Sequence, residues 1–394
     1  MRIRPSARVQ SIGGYAFAEV DREVQKLRAQ GIEPIDFGVG DPTVPTPALV
    51  RQATQRGVDA RASSGYPSYV GAPEFRQAAA AYMKRTFGVS VDPDTEICST
   101  IGSKEAVFHF PLGFLDPGDL VIIPSPGYPP YSRGTLFAGG SSWFIPITAE
   151  NRFLPNLDSI PAHIRQHARI MWINYPNSPS GAVAPVEFLR RVVEFGQKND
   201  IIIASDEAYI DLYYGERPHT LLEFGRDGCV SFFSLSKRSA MTGYRVGWVA
   251  GDPRVIEAFK KIKTNIDSGT ATFIQNGAIA SLTDDTHVEQ MRREYKEKRD
   301  VLIEALVASG LPDCTPEATI YVWQRVPAGM NSVEFATRLL QADVGVVTTP
   351  GPWISETPSG SGGGPPGEGY VRFALVPGIE QTRAAADRIT KAKW

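Results

Sequence analysis

The chain has 394 residues, 42% hydrophobic and 21% charged, which is ample for two domains or one large domain with a satellite. Its 41 basic and 43 acidic residues leave a formal charge of −2, so neither nucleic acid nor an anionic membrane is expected as the main partner. The three cysteines, Cys98, Cys229 and Cys314, lie far apart and form no CxxC or Cys/His cluster, which fits a reducing compartment and no metal site.

The opening segment "MRIRPSARVQSIGG" carries arginines but no apolar stretch of a secretory leader. No apolar run approaches the roughly eighteen residues of a membrane span, so a soluble cytoplasmic protein is expected. Residues 16–30 place Phe17, Val20, Val24 and Leu27 on one helical face, with Gly31 as the stop. From about residue 73 helices and strands alternate. The helix-like "PEFRQAAAAYMKRTF" and "KEAVFHFPLGFL" precede the strands "LVIIP", "WFIPI", "IMWIN" and "IIIAS". Between the last two, "PVEFLRRVVEFGQKN" is an amphipathic helix with Pro185 in its first turn. Continuous apolar strands separated by helices predict an α/β fold with a mainly parallel sheet covered on both faces. A charged helix over about 286–309 marks a change of pattern. Beyond it "TIYVWQRV" and "EGYVRFALV" alternate like half-exposed strands around the helix "VEFATRLLQA", which predicts a smaller α+β domain. The stretch 357–369, "TPSGSGGGPPGEG", reads as a flexible loop.

The chemistry collects at strand ends, where open α/β sheets build their sites. "IIIASDEAY" ends in Asp206 and Tyr209, and "VSFFSLSK" delivers Lys237 between small hydroxyl residues. A buried lysine has a depressed pKa, which suits a nucleophilic amine. Ser234, Ser236 and Arg245 offer two hydroxyls and a bidentate cation for a phosphate. Gly102, Ser103 and Lys104 open a helix and form a second candidate cradle. An aldehyde cofactor bearing a phosphate, pyridoxal 5′-phosphate, would join these parts, with Asp206 facing its pyridine nitrogen. Each residue alone has a plainer reading, as a solvated loop lysine, a helix cap or a packed aromatic. Cys98 and His109 keep that plainer reading.

The ordered set resembles the fold-type I pyridoxal-phosphate aminotransferases of class I/II over nearly the whole chain. "SLSK…MTGYRVGW" is similar to that family's signature, which implies a Schiff-base lysine at Lys237 and a phosphate arginine at Arg245. "DEAY" implies Asp206 on the pyridine nitrogen and Tyr209 on the phenolic oxygen. "SPGYPPY" implies that Tyr128 stacks on the cofactor ring, and "GYPSYVGAPEFR" that Tyr66 reaches the phosphate of a neighbouring subunit in a homodimer. "FGVGDP" places Gly40 beside the substrate carboxylate, and "GYVRFALV" supplies Arg372 as its clamp. One departure stands out. Where the family writes N-P-T-G, this chain has "NSPSG", so Ser178 occupies the asparagine position and Asn177 precedes it. Either could serve the cofactor's phenolic oxygen or the carboxylate, and the sequence leaves this open. The resemblance implies a large pyridoxal-phosphate domain at 46–280, with 1–45 and 281–394 as N-terminal arm and small domain.

The implied reaction passes an amino group from an amino acid to a 2-oxo acid, with Lys237 moving the proton. "FGVGDP", "KTNIDSGTATFIQ" and "PGEGYVRFALV" look most like the diaminopimelate aminotransferases, including those acting on the succinylated substrate. Aspartate, alanine or aromatic donors stay open, as do C–S elimination and other chemistry on the same frame. Arg22, Arg28, Lys104 and Arg133 fall near the expected site segments and would suit a polar distal group. A ligand-sensing regulator on this fold would need a DNA-binding module, for which the roughly 40 residues before the resemblance begins leave little room.

Overall fold

Strands form where the apolar runs stand, because β-branched and aromatic residues fit a pleated, covered surface. The computed structural model describes residues 1, 3–12, 18–360 and 363–394. In chain order the first strands are β1 (Ile35–Asp36), β2 (Ile97–Thr100), β3 (Leu120–Ser125), β4 (Ser141–Pro146), β5 (Ala168–Asn174) and β6 (Ile202–Asp206). They are followed by β7 (Cys229–Ser234), β8 (Gly247–Gly251), β9 (Tyr321–Arg325), β10 (Val346–Val347), β11 (Thr349–Pro350) and β12 (Tyr370–Ala374).

Seven strands make the main sheet, in the order β2-β8-β7-β6-β5-β3-β4. All run parallel except β8, which is antiparallel to both neighbours. A parallel return needs a crossover of a dozen or more residues, usually a helix. The link 235–246 is instead spent on a one-turn helix, Leu235–Arg238, and a 3-10 turn, Thr242–Tyr244. The chain therefore doubles straight back.

Residues alternate between two helical layers. On one face Met171, Ile173, Ile203 and Phe233 pack under the helices Pro73–Phe87 and Val186–Asn199. On the other, Ile170, Trp172, Val230 and Phe232 pack under Ser103–His109, Pro129–Ala138 and Pro253–Ile266. Pro73–Phe87 coincides with the expected helix and stops at Gly88 in the left-handed region, φ 72°. The N-terminal helix spans Ala18–Ala29; Phe17 of the expected apolar face lies outside the described residues.

The C-terminal part carries an antiparallel sheet, β11-β12-β9. The helices Thr286–Ala308 and Ile379–Lys391 share its core with Val322, Val371 and Phe373. Here the expected half-exposed alternation holds in β12, where Tyr370 and Arg372 are partly exposed, and is corrected in β9. Tyr321, Val322, Trp323 and Gln324 are all buried, because Trp323 stacks on Tyr370 (5.2 Å, 2°) over the face that alternation left to solvent. The segment before the large domain belongs structurally to this part. β1 pairs in parallel with β10, and Ala374 N donates to Phe37 O at 2.7 Å. Among the described residues no helix is long and apolar enough to cross a membrane.

Candidate active site

Strands β2, β3, β5, β6 and β7 point the same way, so their carboxyl ends share one edge of the sheet. A cavity of about 730 Å³ opens there and is closed from the other side by Gly40, Tyr321 and Arg372. The turn after β2 sends in Ser103 and Lys104, and the turn after β3 sends in Tyr128 and Tyr131. β5 contributes Asn174 and Ser178, β6 Asp206 and Tyr209, and β7 Ser234, Ser236 and Lys237. β8 starts at the same edge because it runs antiparallel, and this brings in Arg245.

Lys237 sits on the one-turn helix Leu235–Arg238, which Ser234 caps by accepting from Ser236 N at 3.2 Å. Its neighbour Arg238, 2% exposed, points the opposite way and ion-pairs with Asp211 at 3.1 Å and with Asp285. That buried pairing holds the turn, so Lys237 has one direction left, into the cavity. Its Nζ donates to the Gly40 carbonyl. Burial lowers its pKa, with Arg372 and Arg245 acting in the same sense against Tyr321 and Asp41. The amine is therefore easier to deprotonate than an ordinary lysine.

Asp206 is buried at the end of β6. Its Oδ2 accepts from Tyr131 at 2.8 Å and its Oδ1 from Ala208 N at 3.3 Å, yet burial still raises its pKa to about 6. A rise of that size disfavours the carboxylate by about 3 kcal/mol, which a cation placed opposite it would offset. A protonated pyridine nitrogen meets that need. Arg245 folds its guanidinium over the Gly102 turn, donating to Thr242 O at 2.8 Å and Ile101 O at 3.4 Å. Gly102 has φ 72°, and a Cβ there would collide with Arg245. The positive φ favours glycine here, and the guanidinium packs into the space a side chain would take. With Ser103, Ser234 and Ser236 alongside, the donor set suits a phosphate.

Arg372 lies across the cavity from this set. Its Nη2 donates to Gly38 O at 3.1 Å, its guanidinium stands 4.5 Å over the Tyr321 ring, and its buried Nε has no partner. A buried N–H left unpaired is costly, and an incoming carboxylate would satisfy it.

The cavity thus gathers most residues expected from the sequence, with Gly102 set behind the lining against Arg245 and two further exceptions. Asn177 is turned inward. Its Oδ1 accepts from Ser180 N at 3.1 Å and Ser180 Oγ at 2.6 Å, and its Nδ2 donates to Asn174 O. The two amide ends are spent on closing its own turn, so Asn177 does not replace the missing asparagine and Ser178 faces the cavity. Tyr66 is 86% exposed and lies outside the cavity of its own chain. Of the four basic residues near the expected segments only Lys104 lines the cavity. Arg28 pairs with Glu33 at 2.7 Å, Arg22 lines a separate cavity of about 480 Å³, and Arg133 lines a third. Lining residues that escape the sequence reading include Asp41, Tyr131, Asn174, Thr242 and Tyr321. Tyr131 had a signal, since it follows Tyr128 by one helical turn.

A mainly parallel sheet between two helical layers, with lysine, acid and phosphate donors at its carboxyl edge, defines the class. The chain belongs to the class I and II aminotransferases, whose family model matches residues 32–389, and is a pyridoxal-phosphate-dependent transaminase. It is 42% identical over 392 residues to an LL-diaminopimelate aminotransferase of Aquifex aeolicus, covering 98% of this chain and 99% of the relative. Among solved structures it resembles a double mutant of Thermus thermophilus aspartate aminotransferase (TM-score 0.90, 30% identity, 99% and 100% of the two chains covered). A probable N-succinyldiaminopimelate aminotransferase of the same organism is also similar (TM-score 0.87, 29% identity, 96% and 100% covered).

Proposed function

We propose that this transaminase takes its amino group from LL-diaminopimelate and passes it to 2-oxoglutarate, in the route that leads to lysine. The carrying observation is the opposition of Lys237 Nζ and the unpaired Arg372 Nε across one cavity whose rim also holds Lys104 and Asp41. A substrate with a second amino-acid end presents a carboxylate and an ammonium to those two rim charges, and a succinylated one lacks the ammonium. Full-length similarity to the Aquifex relative supports the same donor.

In this reading the bound cofactor supplies the aldehyde that takes the amino group and a ring that draws electrons from the substrate's Cα. Arg245, Ser103, Ser234 and Ser236 hold its phosphate, Asp206 its pyridine nitrogen, and Tyr209 with Ser178 its phenolic oxygen. Gly102 completes the phosphate turn, and Tyr128 covers the ring. Arg372 grips the substrate's α-carboxylate beside Gly40, and Lys237 takes the Cα proton and returns it. The large domain would span 46–280, with 1–45 and 281–394 forming arm and small domain; the β1–β10 pairing supports the assignment of the arm. A donor panel of diaminopimelate, its succinylated form, aspartate, alanine and aromatic amino acids, each with 2-oxoglutarate, tests the substrate. Glutamate release should be fastest with LL-diaminopimelate, and preference for another donor overturns the assignment.

The active unit in this reading is a homodimer. Tyr66 and its neighbour Tyr69 are exposed, and Tyr66 is free to reach the phosphate site of a second copy. Mixed dimers pairing a Tyr66→Phe chain with a Lys237→Ala chain should regain one of two sites, since both lesions fall in the same site and leave the other intact. Sedimentation of a fully active monomer would rule the arrangement out.

A further inference from the structure

Lys263 is fully buried on the helix Pro253–Ile266, and no step of the proposed reaction uses it. Its ammonium lies 2.7 Å from Asp267 Oδ2 and 3.3 Å from Glu105 Oε2, and both carboxylates are largely buried as well. Glu105 Oε2 also accepts from Ile101 N at 3.0 Å, which closes the turn that carries Gly102 and Ser103. Asp267 Oδ1 accepts from Gly269 N at 2.7 Å, which closes the loop that carries Thr270. Those two segments frame Arg245. Ile101 O accepts from its guanidinium at 3.4 Å, and Thr270 Oγ1 shares its proton between Thr100 O at 3.0 Å and the Arg245 carbonyl at 3.3 Å.

We propose that Lys263 is a positioning residue for the phosphate: it holds the 101–105 turn and the 267–270 loop at the spacing that aims Arg245 at a phosphate ester. The inference rests on the functional reading above. Arg245 needs such support. It is exposed in the single chain and its backbone lies in the left-handed region, φ 56°, so neither packing nor its own conformational preference holds it. A buried ion group is a poor source of stability, since apolar side chains of similar volume often do as well or better. What it supplies here is direction. An ammonium that must satisfy carboxylates from two segments fixes the distance between them, whereas an aliphatic side chain would let them slide. The same knot supports a second element. Gly269 has φ 81°, and a Cβ there would collide with the Ser68 carbonyl, so the loop closed by Asp267 lies against the segment that presents Tyr66 and Tyr69. In the homodimer Lys263 therefore stands behind two contributions to phosphate binding, the cradle of its own chain and the tyrosine lent to the partner.

The test compares the full-length protein with Lys263→Met. Each is reloaded with pyridoxal 5′-phosphate or with pyridoxal, which lacks the phosphate, and the dissociation constant of each ligand is read from its absorbance. Lys263→Met should weaken pyridoxal 5′-phosphate by about tenfold or more and leave pyridoxal within about twofold of the parent, because only the phosphate feels the cradle. A merely structural role would weaken both ligands alike. That result, or an unchanged affinity for pyridoxal 5′-phosphate, overturns the inference. Lys263→Met strands two buried carboxylates and is exposed to unfolding on that account. The triple variant Lys263→Met, Glu105→Gln, Asp267→Asn removes the charges together at similar volume, and the same selective loss is expected from it. Parent-like affinity for pyridoxal 5′-phosphate in the folded triple variant equally overturns the inference. If the parent binds pyridoxal as tightly as pyridoxal 5′-phosphate, the functional reading itself fails, a result distinct from these.

Discussion

Lys237→Ala should yield a folded protein that has lost activity by roughly 10⁴-fold, since one substitution removes both the cofactor's anchor and the proton carrier. Borohydride reduction and peptide mapping of the parent should place the cofactor on Lys237, and label on another lysine would contradict the site. Stability should move the other way. Because burial lowers the Lys237 pKa below its ordinary 10.5, the folded chain binds that proton less tightly than the unfolded chain. The residue therefore destabilises the fold at neutral pH, and stability from this group rises only as pH climbs toward the unfolded value. Removing it deletes that penalty together with one bond to Gly40, a bond worth about 1 kcal/mol. The variant's Tm should not fall below that of the parent without cofactor, which thermal melts at pH 7 would check.

Arg372→Lys should keep cofactor absorbance and lose about 30- to 1,000-fold in kcat/KM toward every amino-acid donor alike. This corresponds to about 2–4 kcal/mol for one charge-assisted bidentate pair. The geometry sharpens the expectation. The guanidinium already spends Nη2 on Gly38 and rests on the Tyr321 ring, which leaves Nε and one edge for a carboxylate. An ammonium has no planar fork and cannot hold both sets of contacts at once. Near-full activity in the variant would put the clamp elsewhere.

How much of this was legible in the sequence depended on the range of the contact. Most of the main sheet was readable because its apolar strands announced themselves locally, the short β2 excepted, and Lys237, Asp206 and Arg245 sit at strand ends within one short span. β8's direction was not readable, since it follows from how residues 235–246 are spent rather than from their pattern. Asn177 looked available to the cofactor until the turn's own bonds to Ser180 were visible. Tyr321 was hidden more deeply. In "TIYVWQRV" it looks like a packing residue, and its hydroxyl partner Tyr209 lies in a remote segment that no periodicity connects to it. Trp323 was misjudged as half-exposed for a related reason: its cover is Tyr370, on another strand.

The pairing of β1 with β10, and of Phe37 with Ala374, has a consequence for binding thermodynamics. Gly38 and Arg372 are 334 positions apart in the chain yet hydrogen-bonded to each other, so the two walls of the proposed carboxylate pocket are joined during folding. The loop-closure entropy of bringing such distant segments together grows only slowly with separation and is met once, before any substrate arrives. A carboxylate entering this pocket therefore meets a preassembled receptor, and most of the free energy of its contact with Arg372 is available to orient the substrate's Cα–H bond toward Lys237.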